Sequence, residues 1–319
     1  MRVQLCGVRV ILKMKVCAGV VLYNPDIKRL IKVVDAIVPQ VDLLVFVDNA
    51  SSNISDVQST LTSDKIIWIK NDTNLGIARA LNQLIEFANN DGYEWMLTLD
   101  QDSICGENYV HKLLSVLSGK QNTEQNTEPL VIAMIAPLTI DRGEISSEVS
   151  SAAPVGKPLP EIEEVNFCIT SGSLTNVKSV LEIGGFNEWL FIYEVDREIC
   201  LRLLQHGYKI VRANTVDLYH EHGLKTITKK FLQKKIIYHN YTPFSVYYQT
   251  RNLVYMLRMY GSAYYPHPYK RWVRLFFAFS VKFICEPDRI QRLKAFTKGL
   301  KDGLAVKVRM ENGKWKMEN

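Results

Sequence analysis

The first half of the chain alternates short apolar runs with stretches whose apolar residues recur at helical spacing. The first apolar run ends at Asn24-Pro25 and the second at Asp48-Asn49, both turn-forming pairs. Such runs are typical of parallel strands that are buried on both faces. The predicted strands are 16–23, 43–47, 66–69 and 95–99, and the predicted helices are 26–38 and 77–88. The alternation predicts an α/β fold in which helices flank a mixed, mostly parallel sheet.

The second half follows a different pattern, in which strand and helix signals are mixed. From Lys229 onwards the chain is basic and aromatic, with amphipathic helical stretches at 245–260 and 272–284. We therefore predict two regions, a domain at 1–228 and a basic, aromatic, mostly helical extension at 229–319. The extension fits either a helix that lies in the plane of a membrane surface or a contact with another domain or subunit.

Composition narrows the class of protein. Of the 319 residues, 47% are hydrophobic and 23% are charged, as in ordinary globular domains. The formal net charge of +6 is too small and too scattered to predict a nucleic-acid partner, and it suits anionic small molecules or a lipid surface better. The six cysteines lack the spacing of a zinc site, and we interpret them as reduced thiols of a cytoplasmic protein. No apolar run reaches the ~18 to 20 residues of a membrane span.

Acidic and amide residues cluster where predicted strands end. The clusters are Asp48-Asn49, 71–74 and 100–102. In open α/β sheets, ligands bind outside the carboxyl ends of the strands. The sequence therefore predicts a ligand site at this edge of the sheet.

Two classes of nucleotide-binding enzyme fit the sequence poorly. A dinucleotide oxidoreductase needs the pattern G-x-G-x-x-G after its first strand, and the pattern is missing. A sugar-nucleotide pyrophosphorylase needs a glycine-rich basic loop near its N-terminus, and residues 20–30 contain no glycine. The pyrophosphorylase stays as an alternative behind the main hypothesis.

An ordered set of short motifs resembles glycosyltransferase family 2, and within it the rhamnosyltransferase-like branch. The motifs are VVLYNP at 20–25, VDNAS at 47–51, NLGIARALN at 74–82, LDQDS at 99–103, TSGSL at 170–174, GGFNEWLFIYEVDREICLRL at 184–203, HEHG at 220–223 and RNLVY at 251–255. The resemblance covers about residues 16–260. It implies a GT-A fold, which is Rossmann-like, followed by a C-terminal helical extension.

The resemblance also implies an activity. We expect an inverting enzyme that moves a sugar from a UDP- or dTDP-linked donor to a hydroxyl of a glycan or lipid-linked acceptor, in polysaccharide or lipid-linked glycan synthesis. It favours dTDP-rhamnose as the donor and a peripheral position at the inner face of the plasma membrane. A binding module that has kept the fold and lost turnover is the alternative from another class.

A carboxylate pair at the end of the fourth strand suits a divalent cation, since hard cations take oxygen ligands. By resemblance Asp102 contacts the metal, Mn²⁺ or Mg²⁺, while Asp100 lies near the donor's ribose or a metal-bound water. His220 matches a position at which the family often has a third ligand. The competing explanation for Asp-x-Asp is turn chemistry after a strand.

The acceptor hydroxyl has to lose a proton during attack, and a carboxylate is the usual base. By resemblance that base is Asp196. The residues before it depart from the commoner family pattern, so Glu194 is the alternative base and otherwise an acceptor contact. Acidic residues at a helix N-terminus, including Glu198, also suit the helix dipole without any catalytic role.

The remaining predicted contacts belong to the donor and the acceptor. Asp48 can accept the imide N–H of uracil or thymine, and Arg251 is a candidate for the diphosphate. The other donor candidates are Tyr23, Asn74, Gly76 and Arg79, and the acceptor candidates are Ser171, Gly172 and Trp189. Turn formation explains Asn74 and Gly76 equally well, and burial in the core explains Tyr23 and Trp189.

Overall fold

The structure is a computed structural model that describes residues 14–120, 131–141, 159–220, 226–231, 234–239, 242–285, 288–311 and 314–318. Its first half contains four parallel strands in the spatial order β3-β2-β1-β4. The strands are β1 (Val16–Leu22), β2 (Leu43–Asp48), β3 (Ile66–Lys70) and β4 (Trp95–Asp100). The helices between them are α1 (Ile27–Ile37), α2 (Ile54–Thr60) and α3 (Gly76–Asn90). The four predicted strands and two predicted helices are confirmed, and α2 was not predicted.

The second half completes a mixed sheet. It adds β5 (Ile104–Cys105), α4 (Tyr109–Lys120), β6 (Ile132–Asp141), β7 (Ile162–Glu164), β8 (Leu174–Asn176), α5 (Val177–Glu182), α6 (Val195–Gln205) and β9 (Lys209–His220). The spatial order continues β4-β8-β6-β9-β5, with β7 also paired to β9. β8 runs antiparallel to both neighbours, whereas β6 and β9 are parallel to each other. The short β8 therefore joins two blocks of parallel strands.

Hydrophobic residues fill both faces of the sheet. One cluster joins α3, α5 and α6 to the sheet, with Leu84, Met96 and Ile199 fully buried. The other lies under α1 and α4 and includes Leu30 and Leu113. Alternate residues of β1 enter opposite clusters, as a strand covered on both faces requires.

The C-terminal part consists of β10 (Thr226–Phe231), β11 (Lys234–His239), α7 (Pro243–Tyr264), α8 (Pro268–Cys285), α9 (Arg289–Ala305), β12 (Lys307–Glu311) and β13 (Lys314–Glu318). α7 shares the core of the first half, because Leu253 and Met256 belong to the cluster around α3. α9 lies close against α7, since a Cβ at Gly303 would come within 2.7 Å of the Arg251 carbonyl. The predicted boundary after residue 228 falls inside β10, and α7 packs as part of the preceding domain.

No helix within the described ranges has an apolar stretch long enough to cross a bilayer.

Candidate active site

Three carboxylates from distant parts of the chain meet at the carboxyl end of β4. Burial first, and then the charges of Asp196 and Asp102, raise the pKa of Asp100 to about 7, while a hydrogen bond from Ser171 lowers it. Asp100 therefore lies within electrostatic range of both other carboxylates. The predicted strand-end site and the predicted base share one region of the molecule.

Residues 170–173 are hydrogen-bonded to the elements that surround this site. The Thr98 hydroxyl donates to the Thr170 carbonyl at 2.6 Å, and the Gly172 N–H donates to the Thr98 carbonyl at 2.7 Å. The Tyr109 hydroxyl donates to the Gly172 carbonyl at 2.7 Å. These bonds fasten segment 170–173 to β4, just before Asp100.

Two residues of this segment, Ser171 and Gly172, were predicted as acceptor contacts, and the structure shows that both also have structural contacts. Ser171 is 3% exposed, and its Oγ accepts the Asp100 N–H at 2.9 Å. Gly172 has a φ of +79°, and a Cβ there would come within 2.6 Å of the Tyr109 hydroxyl. The small size of both residues permits this close packing.

Asp196 is held through one of its two oxygens. It is the second residue of α6, and its Oδ1 accepts the Thr170 N–H at 3.1 Å and the Thr170 hydroxyl at 2.6 Å. No other described residue donates a hydrogen bond to Oδ2. Burial raises the pKa of Asp196, and the two bonds from Thr170 lower it. An oriented carboxylate with one oxygen left for a proton suits general-base chemistry.

The loop before Asp196 holds strained backbone. Phe191, Tyr193 and Glu194 have φ values of 63°, 65° and 61°, although none is glycine. Each such residue costs about 1–3 kcal/mol and persists only where the surroundings enforce it. Strain of this kind clusters at functional sites, which agrees with the position of Asp196 directly after the loop.

Two residues of α7 hold that loop in its conformation. Asn252 Nδ2 lies 2.8 Å from the Leu190 carbonyl and 2.7 Å from the Ile192 carbonyl. Arg251 donates to the Trp189 and Leu190 carbonyls, and its guanidinium lies 3.9 Å from the centre of the Trp189 ring. Both residues are buried, and Arg251, the sequence candidate for the diphosphate, is engaged in holding the loop.

The N-terminus of α3 holds the same loop from the other side. The Ile77 N–H donates to the Phe191 carbonyl at 2.7 Å. Gly76 allows this approach, because its φ is +84° and a Cβ would lie 2.6 Å from the Phe191 carbonyl oxygen. Gly76, a predicted donor contact, thus serves packing between α3 and the loop.

The other acids near Asp196 have distinct environments. Glu198 is buried and forms a bidentate ion pair with Arg202, with both contacts at 2.8 Å, and it accepts the Tyr260 hydroxyl at 2.9 Å. Glu198 is therefore fully engaged and unavailable as a base. Glu194 Oε2 is buried without a hydrogen bond and lies 3.7 Å from Arg197 Nε. Burial raises the pKa of Glu194, against the effects of Arg197 and Tyr264.

The predicted donor residues lie along the ends of β1 and β2 and the start of α3. Tyr23 is half-exposed, and its backbone N–H donates to the Gln101 side chain at 3.0 Å, next to the Asp100 carboxylate. Asp48 is 2% exposed and accepts the Ser51 N–H at 3.1 Å. Tyr23 is thus an exposed aromatic residue whose backbone is bonded to the residue that follows Asp100.

Asn74 and Arg79 both have local partners. Asn74 accepts the Gly76 N–H at 2.9 Å, which is the turn role that competed with donor binding. Arg79 forms ion pairs with Glu86 at 2.8 Å and Glu188 at 3.2 Å. Trp189 is partly buried, with its ring 5.1 Å from that of Tyr255, so its packing in the loop accounts for its position.

Of the two predicted metal ligands, Asp102 and His220, the structure describes the side chain of Asp102. The Asp102 backbone carbonyl accepts Arg29 Nη2 at 2.8 Å, while its carboxylate accepts no hydrogen bond from another described residue. Within the described part of the chain no group of three or more metal-binding side chains assembles. His220 ends β9, and its side chain lies outside the described residues. A carboxylate that leaves room for donor phosphates is a ligand that Mg²⁺ accepts.

Sequence comparison finds relatives of known activity. Residues 17–122 match the family model described as Glycosyl transferase family 2. The chain is 29% identical over 252 residues to the dTDP-rhamnosyl transferase RfbF of Shigella flexneri, an alignment that covers 76% of this chain and 79% of that protein.

Structural comparison finds the same architecture in larger proteins. The crystal structure of GalNAc-T7 with UDP, GalNAc and Mn²⁺ matches with a TM-score of 0.56 and 13% identity, covering 91% of this chain and 56% of that one. The crystal structure of S. aureus TarS matches with a TM-score of 0.51 and 13% identity, covering 77% of this chain and 40% of that one. The chain spans about half the length of these two proteins. At such low identity the matches concern the fold, and they confirm the predicted GT-A class.

Proposed function

Because the chain is a rhamnosyltransferase-like member of glycosyltransferase family 2, and so an enzyme of nucleotide-sugar transfer, we propose that it inverts the anomeric carbon of the sugar it transfers. The proposed donor is dTDP-rhamnose, as the name of the Shigella flexneri relative suggests. The proposed acceptor is a hydroxyl of a glycan or a lipid-linked glycan.

The arrangement of Asp196 carries this proposal. An inverting transfer needs a base that takes the proton of the acceptor hydroxyl while the hydroxyl attacks. Thr170 fixes Asp196 Oδ1 through two hydrogen bonds, which leaves Oδ2 to receive the proton. Burial raises the pKa of Asp196, which makes its carboxylate a stronger base than an exposed one. Glu194, two positions before Asp196 in the sequence, is then proposed as an acceptor contact through its buried Oε2.

Asp102 is proposed to hold a divalent cation, Mn²⁺ or Mg²⁺, together with His220, while Asp100 lies near the ribose of the donor or a metal-bound water. When bound, the cation would neutralise the negative charge that develops on the leaving diphosphate. Burial first, and then the charges of Asp196 and Asp102, raise the pKa of Asp100, and a cation at this site would relieve the repulsion between these charges. Arg29 fixes the carbonyl of Asp102 and so orients the turn that carries the carboxylate.

The nucleobase is proposed to lie near Tyr23, which is exposed and whose backbone N–H is bonded to the Gln101 side chain. Asp48 and Asn74 are proposed to shape the adjoining loops through their bonds to Ser51 and Gly76. Arg79 contributes through its ion pair with Glu188, next to Trp189 in the loop before α6.

The direct test is a donor screen with the purified chain. Nucleoside-diphosphate sugars, including dTDP-rhamnose and UDP-linked sugars, are added with Mn²⁺ or Mg²⁺, and the melting temperature is followed because a bound donor raises it. Release of nucleoside diphosphate is then measured with a hydroxyl acceptor. Stabilisation together with release supports the proposal. Stabilisation without release by any acceptor would identify a binding module, and no response to any donor would refute the proposal.

A further inference from the structure

α8 exposes a stripe of large apolar side chains. Tyr269, Val273, Phe276 and Phe277 are spaced i, i+4, i+7 and i+8, so they share one face of the helix. Their exposed fractions are 64%, 67%, 48% and 70%. A helix that packs on a core normally turns such a stripe inward. We call these four residues the outer face of α8.

An adjacent side of α8 provides most of its packing. Trp272 and Leu275 pack against the main core cluster. Phe279 stacks on Phe296 of α9, with their ring centres 3.8 Å apart. Phe276 also contacts Phe296, with ring centres 5.8 Å apart, but it stays 48% exposed, and Tyr269, Val273 and Phe277 are exposed further. An exposed group of this kind marks an interaction surface.

Positive charge borders the outer face. Lys270 and Arg274 are exposed and lie three or four positions from Val273 and Phe277, so they flank the same face. Neither forms an ion pair with another described residue. The sequence contains no Asp or Glu between Glu221 and Glu286. The surface therefore attracts anionic partners and carries no acidic side chain that would repel them.

We infer that the outer face of α8 docks onto an anionic lipid surface, with the helix in the plane of the membrane. The four apolar side chains enter the boundary between headgroups and acyl chains, and Lys270 and Arg274 meet the headgroup phosphates. A protein partner fits less well, because specific protein–protein interfaces usually contain several hydrogen bonds. Among the described residues exposed on this face, the hydroxyls of Tyr269 and Ser280 are the uncharged polar groups.

The test uses the full chain and vesicles made from equal amounts of phosphatidylglycerol and phosphatidylcholine, without donor or acceptor. The wild-type chain is expected to float with these vesicles and to bind vesicles of phosphatidylcholine alone at least about ten-fold more weakly. The variant Val273→Ser/Phe277→Ser should lose about ten-fold or more of its affinity for the mixed vesicles. Val131→Ser is the matched control, since Val131 is 50% exposed outside α8 and should bind as the wild type does.

A second variant separates charge from apolar contact. Lys270→Gln/Arg274→Gln should weaken binding to the mixed vesicles and leave the weak binding to phosphatidylcholine unchanged. Because all changed residues are exposed, the melting temperatures should match the wild type. Failure of the wild type to float would overturn the inference, and so would full binding by Val273→Ser/Phe277→Ser. Sedimentation that shows a wild-type dimer and a monomeric Phe277→Ser variant would identify a subunit contact instead. The measurement needs no catalysis, so its outcome is separate from that of the proposed transfer reaction.

Discussion

Asn252 Nδ2 lies 2.7 Å from the carbonyl oxygen of Ile192 and so ties α7 to the strained loop before Asp196. Replacing Asn252 with Ala leaves buried carbonyls without donors, which costs about 1–3 kcal/mol of stability. The loop should also relax from its left-handed conformation and move Asp196. We expect kcat to fall about ten- to a hundred-fold, with a smaller change in KM for the donor.

The matched control for this change is Asn176→Ala. Asn176 is also buried and caps α5 by accepting the Ser179 N–H at 2.9 Å, but it does not contact the loop. Its loss should cost about 1 kcal/mol and leave kcat near that of the wild type. Thermal melting and steady-state kinetics on both variants check this. Equal losses of kcat in the two variants would mean that Asn252 acts on stability alone.

Thr170→Val should shift the pH dependence of transfer. The Thr170 hydroxyl donates to Asp196 Oδ1 at 2.6 Å and lowers the pKa of a carboxyl that burial raises. Removing the hydroxyl should raise the pKa of Asp196 further. A base works only when deprotonated, so activity is lost as the pH falls through its pKa. The acidic limb of kcat/KM should therefore move to higher pH in the variant.

The control for the pH shift is Thr60→Val, on the exposed surface of α2, where the hydroxyl bonds to the Asp56 carbonyl. Its pH profile should coincide with that of the wild type. An unmoved acidic limb in Thr170→Val, at full activity, would show that the titrating group is not Asp196.

Gly172→Ala should destabilise the packing of segment 170–173 next to the site. The φ of +79° strains any residue with a Cβ, and this Cβ would meet Tyr109 and Leu218 at 2.6 Å. Gly184→Ala is the matched control, because Gly184 has a φ of +89° and open space around its Cβ position. We expect about 1 kcal/mol of destabilisation at Gly184 and a clearly larger loss at Gly172. Urea denaturation measures both, and equal losses would contradict the packing role of Gly172.

Glu198→Gln should lower the stability of the folded protein without removing the base. The change leaves Arg202 buried without its charge partner, and breaking such a pair costs about 3–5 kcal/mol. Arg202 also donates to the Ile183 and Gly185 carbonyls, so the turn at residues 183–185 should loosen. At a temperature where the variant is folded, we expect activity within about ten-fold of the wild type. Complete loss of turnover in a folded Glu198→Gln variant would make Glu198 a candidate for the base.

The sequence predicts the first four strands well because each is a continuous apolar run that ends in turn residues. It also brings Asp100, Asp102 and Asp196 to one site, the first two through the rule for strand ends and the third through the family motif. The contacts of Thr170 and Asn252 escape prediction because they join residues 26 and 60 positions apart. No local pattern encodes such distances.

The structural contacts of Ser171 and Gly172 were not predicted, for a related reason. Small polar residues and glycine serve both ligand loops and tight packing, and sequence alone does not separate the two uses. Burial separates them, since Ser171 is enclosed between Asp100 and Ser103. The structural role of Arg251 likewise depends on its burial against the loop before Asp196.

The most direct test of the account compares Asp196→Asn with Asp102→Ala by calorimetry and turnover, using the donor that the screen identifies, together with Mn²⁺ or Mg²⁺. Asp196→Asn keeps the shape of the side chain and the oxygen that accepts from Thr170. We expect it to bind the donor within about two-fold of the wild type and to lose at least about a hundred-fold in kcat. Asp102→Ala should lose metal-dependent donor binding. Wild-type turnover by Asp196→Asn would contradict the assignment of Asp196 as the base.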